Sequence, residues 1–353
     1  SQRRNYNPAH PSTGGMVFPD AIHRISKEQC QFKFSSLIPP VLRVKPGERI
    51  HVETNDCFHG VITPQNPDVK LDYSRFNPVT GPIFIEGALP GDILSISIHD
   101  IRPNDCGVAM CSPHSGQLCH IVEQNFTRFF DVNETTVTMR EESCSPGTRI
   151  SPISFPACPM LGVVGLSPEG HDEIPTMPAG KHGGNLDNKL NGIGCTIHIP
   201  VHHPGGLLSI GDMHASQGDG EINGTGVEVG GDVLLSCEII KPNDLVTHTD
   251  AITASSTNRL RCEYPVTETK THWITHGVAV ENIPQATKVA CKEAAALLMG
   301  QWGFSADEAY IFLGVKGDLG LCQSCHPDKG TQIAKMSVPK IEACPAPFRL
   351  KKT

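Results

Sequence analysis

The stretch from Gly211 to Glu221 reads Gly-Asp-Met-His-Ala-Ser-Gln-Gly-Asp-Gly-Glu, and no other part of the chain is as informative. It combines carboxylates, an imidazole and a side-chain amide with several glycines. Glycine lets the backbone turn tightly, so that polar side chains can converge on one point. Carboxylates and imidazole bind divalent metals and are also the usual general acids and bases. The stretch therefore predicts a functional loop that follows a strand.

Composition and charge narrow the class of protein. The chain has 353 residues, of which 38% are hydrophobic and 19% charged, which is typical of a globular protein. Its formal net charge is −8 and it has no long basic run, which argues against nucleic acid and anionic membranes as partners. No apolar run reaches the roughly eighteen residues of a membrane span, and no signal segment is recognisable. The scattered cysteines favour free thiols and a cytoplasmic location over disulfides.

The pattern of apolar residues predicts a mainly β fold with some α-helix. Alternation of polar and apolar residues indicates strands over residues 49–53 and 94–99, and further β runs cover 195–201 and 232–240. Helical spacing is clear only over 284–300. A capping box over 305–308 then opens a second short helix. We expect this C-terminal helical hairpin to end its first helix at Gly303 and to bury Tyr310, Ile311 and Leu313 in its second.

The domain organisation is predicted from the same pattern. Residues 1–40 are polar and rich in proline, which predicts an N-terminal arm. Residues 41–353 then form one catalytic domain, with a division into two β subdomains, about 41–180 and 181–353, as a further option. The recurrence of Gly91-Asp92-Ile93-Leu94 as Gly231-Asp232-Val233-Leu234 is the observation behind that option.

Three more acidic clusters stand at the ends of predicted strands, where ligands from distant parts of a chain can meet. They are residues 53–59, residues 183–187 and Glu228. A metal site of Asp and His residues would explain this composition, because bound Zn²⁺ lowers the pKa of its water to about 7. A nearby carboxylate would take and return the proton. The alternative is that some of these aspartates only cap turns.

Several other chemistries lack their motifs. The chain has no Gly-x-Ser-x-Gly and no phosphate-binding loop, so a serine amidase built on that motif and a nucleotide hydrolase are unsupported. A cysteine nucleophile at Cys57, Cys195 or Cys237 stays open, although buried cysteines more often act as small hydrophobes. The segment 322–326 matches the haem attachment pattern Cys-x-x-Cys-His, but a tight turn with two thiols is the simpler interpretation.

Several stretches together resemble the acetamidase/formamidase family. The run Gly-Gly-Asn-Leu-Asp at 183–187, the segment 200–210 and the stretch 211–221 carry the most specific similarity. Residues 77–92 are similar to the N-terminal half of the family, and residues 271–277 and 307–310 are similar to its C-terminal part. The resemblance extends over roughly residues 40 to 340.

The resemblance implies a β-sandwich-like fold, a homo-oligomer, and metal-dependent hydrolysis of formamide or acetamide to the acid and ammonia. Zinc is the first candidate metal and calcium the second. By position in the motifs, the implied metal ligands are Asp56, Asp187, Asp212 and His214. The implied catalytic residues are Glu221, Glu53 and His182. The implied substrate-binding residues are Asn185, Gln217 and His202.

Two alternatives remain at this point. The cysteine-rich region 106–158 and the many imidazoles depart from the family pattern, which favours a different substrate on the same scaffold. That substrate would be a bulkier or heterocyclic amide, a carbamate or an amidine. The second alternative is a protein that binds a metal or an amide without turnover.

Overall fold

The structure, a computed structural model, describes residues 18–140, 152–171, 173–241, 263–325 and 330–342. Strands predominate and are numbered in chain order: β1 His23–Ile25, β2 Cys30–Gln31, β3 Lys33–Phe34, β4 Leu42–Val44, β5 Arg49–Thr54, β6 Val79–Ile85, β7 Ile93–Pro103, β8 Cys106–Cys111, β9 Phe126–Val132, β10 Thr136–Met139, β11 Ser154–Pro156, β12 Met160–Gly165, β13 Ile174–Pro175, β14 Ala179–Gly180, β15 Gly183–Asn185, β16 Thr196–Pro200, β17 Leu208–His214, β18 Gly231–Ile240, β19 Val266–Glu268, β20 His272–Val280, β21 Asp318–Gln323 and β22 Thr331–Pro339. The helices are α1 Ile283–Trp302 and α2 Ala306–Lys316. The predicted mainly β fold with a C-terminal helical hairpin is confirmed.

Two large sheets form the body of the molecule. One has nine strands in the order β1-β5-β18-β7-β16-β19-β20-β22-β21. The other has seven, with β14-β15-β12-β17-β6-β2 in line and β4 beside β6. A single apolar core contains Ile96 and Val233 from the first sheet and Ile83, Leu161 and Ile210 from the second. The two sheets therefore pack face to face as a sandwich.

The four segments predicted as strands form β5, β7, β16 and β18, because alternate residues reach the core. In β7, Leu94, Ile96 and Ile98 are fully buried at every second position. The recurring Gly-Asp segments lie at the starts of β7 and β18, which pair antiparallel with each other. Both large sheets take strands from each side of residue 180. The division into two β subdomains at about that residue stays a prediction from sequence.

The N-terminal and central regions contribute smaller elements. Within the predicted arm, residues 18–40 supply β1, β2 and β3 to three different sheets, while residues 1–17 lie outside the described residues. The cysteine-rich region contributes a four-stranded sheet in the order β11-β10-β9-β8. An isolated bridge between Val108 in β8 and Glu228 joins this excursion to the main body.

The helical hairpin covers the end of the nine-stranded sheet. Gly303 ends α1 with a left-handed φ of 70°, and Ser305 and Glu308 form both bonds of the capping box of α2. The predicted buried face of α2 is wrong for two residues: Tyr310 and Ile311 are exposed, and only Leu313 is buried. The physical reason is that Ala309, a small residue one turn before Leu313, supplies the contact with α1. None of the described helices is long and apolar enough to cross a membrane.

Candidate active site

Strand β17 places the first two functional side chains. All seven of its residues are buried between β12 and β6. Asp212 and His214 are two residues apart and therefore project from the same face of the strand. The Nε2 atom of His214 lies 3.3 Å from Oδ1 of Asp212 and 3.1 Å from Oε2 of Glu228. Two residues of the stretch 211–221, Asp212 and His214, thus belong to a buried cluster of ionisable groups.

Three acidic residues of the cluster adopt an unusual backbone conformation. Asp187, Asp212 and Glu221 have φ values of 45°, 54° and 43°. Residues with a Cβ atom rarely occupy this left-handed region, and each such residue costs about 1–3 kcal/mol. Strain of this kind persists where the surrounding structure fixes it, and it concentrates at functional sites. It therefore marks these three carboxylates as candidates for function.

The ionisable groups fall into two adjoining sets of metal-ligand type. Asp187, His214 and Glu221 each offer a ligand atom, and these atoms lie within 4.8 Å of one another. Cys57, Asp212 and Glu228 form the second set by the same measure. All six side chains are buried. Hard carboxylate oxygens with an imidazole nitrogen suit a divalent ion such as Zn²⁺.

The fit of a cation to this cluster rests on two observations. Oδ1 of Asp187 is buried and has no hydrogen-bond partner, although a buried carboxylate oxygen normally has one. A Cβ atom at Gly162 would lie 2.5 Å from that oxygen and 2.6 Å from Oδ2 of Asp212. The bare glycine thus leaves room for both carboxylates to approach one point. The residues present therefore fit a divalent ion.

Gln217 fixes the orientation and tautomer of His214. The side-chain amide of Gln217 donates to the backbone carbonyl of Asp187 at 2.7 Å, which identifies its nitrogen end. Its Oε1 atom must then accept from Nδ1–H of His214, 2.7 Å away. With the proton on Nδ1, the Nε2 atom that faces the carboxylates is the one free to bind a metal.

Burial dominates the electrostatics of the cluster. Burial, followed by the charge of Asp212, raises the pKa of Asp187 to about 8. Burial likewise raises the pKa of Glu228 to about 7 and that of Glu221 well above its ordinary value. For His214, burial favours the neutral ring, but Glu228 and Asp212 outweigh it and raise its pKa well above the ordinary value. Four buried carboxylates so close together thus require a cation or shared protons.

The cluster lines a cavity of about 350 Å³. Asn77 and Asn185 also line it, and the Oδ1 atom of Asn185 is buried without a hydrogen-bond partner. Gln323, at the end of β21, donates to Asp187 Oδ2 at 2.5 Å and to Glu221 Oε2 at 3.5 Å. The cavity therefore offers carboxylates, amide donors and an unused amide acceptor to a small polar group.

Five of the residues implied by the resemblance meet in or beside this cluster. Asp187, Asp212, His214 and Glu221 form it, and Asn185 lines the cavity. Gln217 lies behind His214 and holds the ring, so its position suits orientation of that ligand better than contact with substrate.

The structure does not bring four of the implied residues into the cluster. Asp56 closes a local turn by accepting the backbone N–H of Gly60 at 2.8 Å. Glu53 pairs with Arg24 and groups with His51 and Asp232 instead, because the β5–β18 register sets it opposite Asp232.

His182 packs edge-on against Phe34, with ring centroids 5.1 Å apart, and burial lowers its pKa to about 4. His202 is half-buried, and burial lowers its pKa as well. Neither imidazole is among the residues that line the cavity. Their predicted catalytic and substrate-binding roles are therefore not supported by their positions.

Burial argues against a nucleophilic role for Cys57, Cys195 and Cys237, because it raises the pKa of each thiol. Cys57 lines the cavity, but burial and the neighbouring Glu228 raise the pKa of its thiol well above the ordinary value. Burial in the apolar core raises the pKa of Cys195 to about 12 and that of Cys237 further. A thiolate nucleophile is thus disfavoured. Cys322 and Cys325 are buried, and burial raises the pKa of Cys322 to about 12, while His326 lies outside the described residues.

Sequence reasoning gave no role to Glu228, Gln323 or Asn77. Glu228 was noticed only as an acidic residue beyond the main loop, and Asn77 stood within a segment of family resemblance. Gln323 lies within the Cys-x-x-Cys-His pattern, in which the two thiols are the recognisable feature. The available signal for Gln323 was a polar amide at the end of a strand-forming stretch, Leu319 to Cys322, and it is a weak one.

A β-sandwich with a buried cluster of carboxylates and one imidazole under a cavity defines a class of enzyme that works by acid–base or metal chemistry. The model of the acetamidase/formamidase family matches residues 20–171 and 170–318, and the chain belongs to this family. It is therefore an amidase, a hydrolase of carbon–nitrogen bonds.

Individual relatives agree with this membership. The chain is 28% identical over 345 residues to the acetamidase of Mycolicibacterium smegmatis. The aligned region covers 78% of this chain and 83% of that acetamidase. A crystal structure of a predicted acetamidase/formamidase from Thermoanaerobacter tengcongensis is similar with a TM-score of 0.78 and 31% identity, over 90% of this chain and 95% of that one. The crystal structure of the acetamidase of Bacillus halodurans is similar with a TM-score of 0.74 and 32% identity, over 90% of this chain and 97% of that one.

Proposed function

We propose that this amidase hydrolyses primary amides, formamide and acetamide included, with a divalent metal held in the buried cluster. The main support is that Asp187, His214 and Glu221 each offer a ligand atom and that these atoms lie within 4.8 Å of one another. In addition, the buried Oδ1 atom of Asp187 has no hydrogen-bond partner. The names of the relatives, acetamidase and formamidase, support the choice of substrate. Zinc is the first metal to test and calcium the second.

In this proposal Asp187, His214 and Glu221 would hold the ion, with Gln217 and Gln323 fixing the orientation of His214 and Asp187. When bound, the ion would supply a Lewis acid for the amide carbonyl and balance the charge of the carboxylates. Glu228 lines the cavity beside Nε2 of His214 and is the carboxylate we assign to carry a proton.

The reaction consumes one water molecule. Its oxygen forms the new bond to the carbonyl carbon, and Glu228 accepts the proton that water loses. The carbon–nitrogen bond breaks, and the nitrogen takes that proton and leaves as ammonia. The buried Oδ1 of Asn185 can accept an N–H from the amide nitrogen and so orient the leaving group. The products are a carboxylic acid and ammonia.

The test measures bound metal and ammonia release on the same preparations. Wild-type protein should hold metal and hydrolyse formamide and acetamide, and both properties should disappear with a chelator and return with Zn²⁺. Asp187→Asn should lose bound metal, whereas Glu228→Gln should keep it and lose at least about a hundredfold in kcat. Full turnover by protein shown to be metal-free would refute the metal role.

The non-catalytic alternative is separated by the same preparations. Bound metal with no turnover of any primary amide would favour a binding protein. Equal kcat values for Glu228→Gln and the wild type would remove Glu228 from the proton transfer while leaving the metal site intact.

A further inference from the structure

The cavity is much larger than the smallest primary amides require. Its volume of about 350 Å³ lies in the range of roughly 300–1,000 Å³ that encloses drug-sized ligands. Formamide has no acyl substituent and acetamide has only a methyl group. The carboxylate cluster accounts for one part of the lining, and the remaining part must face whatever the acyl carbon carries.

An aromatic wall forms much of that remaining part. Phe58 is buried, and its ring meets that of Phe76 edge-on with centroids 5.4 Å apart. Phe76 in turn lies 4.8 Å from the ring of Tyr73, whose side chain is 58% exposed. All three rings line the cavity. The wall therefore runs from the interior of the protein to the solvent.

The wall begins at the reacting end of the cavity. Cys57 shares a ligand-type set with Asp212 and Glu228, and it also packs with Phe58 and Met110 in one apolar cluster. A substrate whose amide group reaches the carboxylates would thus place its acyl substituent beside Phe58. Edge and face contacts between aromatic rings stabilise such an arrangement beyond the burial of apolar area alone.

The chemistry of the wall restricts the substituent. Met110 and Met177 add flexible apolar surface, which adapts to rings and branched chains. Among the described residues that line the cavity there is no lysine or arginine to pair with a charged substituent. A negatively charged acyl group would also be repelled by the four carboxylates. Although polar residues such as Ser112, His114 and Asn223 also line the cavity, the side formed by the aromatic rings and the methionines fits a substituent that is uncharged and apolar.

We propose that this site prefers primary amides with an aromatic or branched apolar acyl substituent over formamide and acetamide. The inference rests on the proposed function for the chemistry of the amide group, but it concerns a different part of the cavity. Phenylacetamide is the probe, because its carbonyl bears a CH₂ group and so differs little from acetamide in intrinsic reactivity.

The first experiment compares kcat/KM of the metal-loaded enzyme for acetamide, propionamide, isobutyramide and phenylacetamide. We expect kcat/KM to rise along the series and to be at least about tenfold higher for phenylacetamide than for acetamide. A kcat/KM that falls with increasing size would overturn the inference and leave the proposed amidase function in place.

A matched pair of variants tests the wall itself. Tyr73→Ala removes an exposed wall residue, so the fold should survive and the phenylacetamide to acetamide ratio of kcat/KM should fall by about threefold to tenfold. Tyr310→Ala removes a tyrosine that is 80% exposed on α2, outside the cavity lining, and should leave both rates unchanged. Equal ratios for the two variants would count against the aromatic wall.

A binding measurement separates this inference from the proposed function. Calorimetry with the product anions should show phenylacetate binding at least about tenfold more tightly than acetate. Tighter phenylacetate binding without turnover of any amide would support the acyl site and refute the proposed hydrolysis. Equal binding of the two anions would overturn the acyl site whatever the turnover.

Discussion

The side chain of Asn188, the residue after Asp187 in the chain, donates a hydrogen bond of 3.0 Å to Nε2 of His276. The other ring nitrogen of His276, Nδ1, donates to the backbone carbonyl of Pro265 at 2.7 Å. Both nitrogens are thus used by a neutral, fully buried imidazole. Burial, assisted by the charge of Lys335, lowers the pKa of His276 to about 4.

The neutral state of His276 predicts a loss of stability in acid. The folded state disfavours the protonated ring, whereas the unfolded chain accepts the proton at an ordinary pKa of 6.5. The contribution of His276 is therefore complete above pH 6.5 and is lost as the pH falls towards 4, by roughly 3 kcal/mol in all. Urea unfolding at pH 7, 5.5 and 4.5 measures it. His276→Gln should show a shallower decline over this range, and an identical slope would contradict the assignment.

The metal-free cluster should respond to pH in the opposite direction. Burial raises the pKa of Asp187 to about 8 and that of Glu228 to about 7, so the folded state binds protons that the unfolded state releases. The contribution of these two carboxyl groups to the stability of the metal-free protein is therefore lost as the pH rises from about 4 through 8. Zn²⁺ should raise Tm more at pH 8 than at pH 6, by about 1 °C for each extra kcal/mol. Equal shifts at the two pH values would argue against a cation in this cluster.

Gly162 should not tolerate a side chain. The Cβ atom of Gly162→Ala would lie within 2.6 Å of carboxylate oxygens on both Asp187 and Asp212, so at least one must move. We expect the variant to lose bound metal and to lose more than about a hundredfold in kcat, since a displacement of about 1 Å has that effect. Metal analysis and ammonia release provide the measurement.

Gly314→Ala is the matched control for that change. Gly314 lies within α2, and a Cβ atom there meets nothing within 4 Å. Alanine should stabilise the helix by about 0.5–1 kcal/mol and leave turnover unchanged. If Gly162→Ala retained full metal content and activity, the close approach of the two carboxylates would have no functional meaning.

Gln217 should act through His214. Gln217→Ala removes the acceptor for Nδ1–H, so the ring can rotate or adopt the other tautomer. Metal affinity should fall about 10-fold to 100-fold while the unfolding transition changes little. The exposed Gln65 offers a matched Gln→Ala control without effect on metal. Unchanged metal affinity in Gln217→Ala, measured by competition with a chelating dye, would exclude this role.

The sequence predicted those elements whose pattern depends only on residues that are neighbours along the chain. The alternation in β7 and the capping box at Ser305 depend on neighbouring residues, and both are confirmed. The α2 face was misjudged because a large side chain such as Tyr310 suggests burial more strongly than the small Ala309 that makes the contact. Side-chain size on a short helix does not show which face meets its neighbour.

The site was predictable only where one short segment supplies it. Asp212, His214 and Glu221 lie within ten residues of chain, so their chemistry could be recognised together. Gln323 reaches them from β21 through sheet pairing that no local pattern specifies. Glu53 was misplaced for the same reason, because cross-strand register with β18 decides its neighbours.

The excursion β8–β11 reaches the cavity through Met110, whereas the carboxylates and imidazole stand on β17, on the segment between β17 and β18, and just after β15. The residues proposed to break the bond and this one part of the cavity lining are thus encoded in separate stretches of the gene. An engineer could vary the excursion around Met110 to adjust the substrate range, while Phe58, Tyr73, Phe76 and the reaction centre stay in place. The joins to preserve in such a graft include the bridge between Val108 and Glu228 and the hydrogen bonds of Met110 with Asn223 and Thr225.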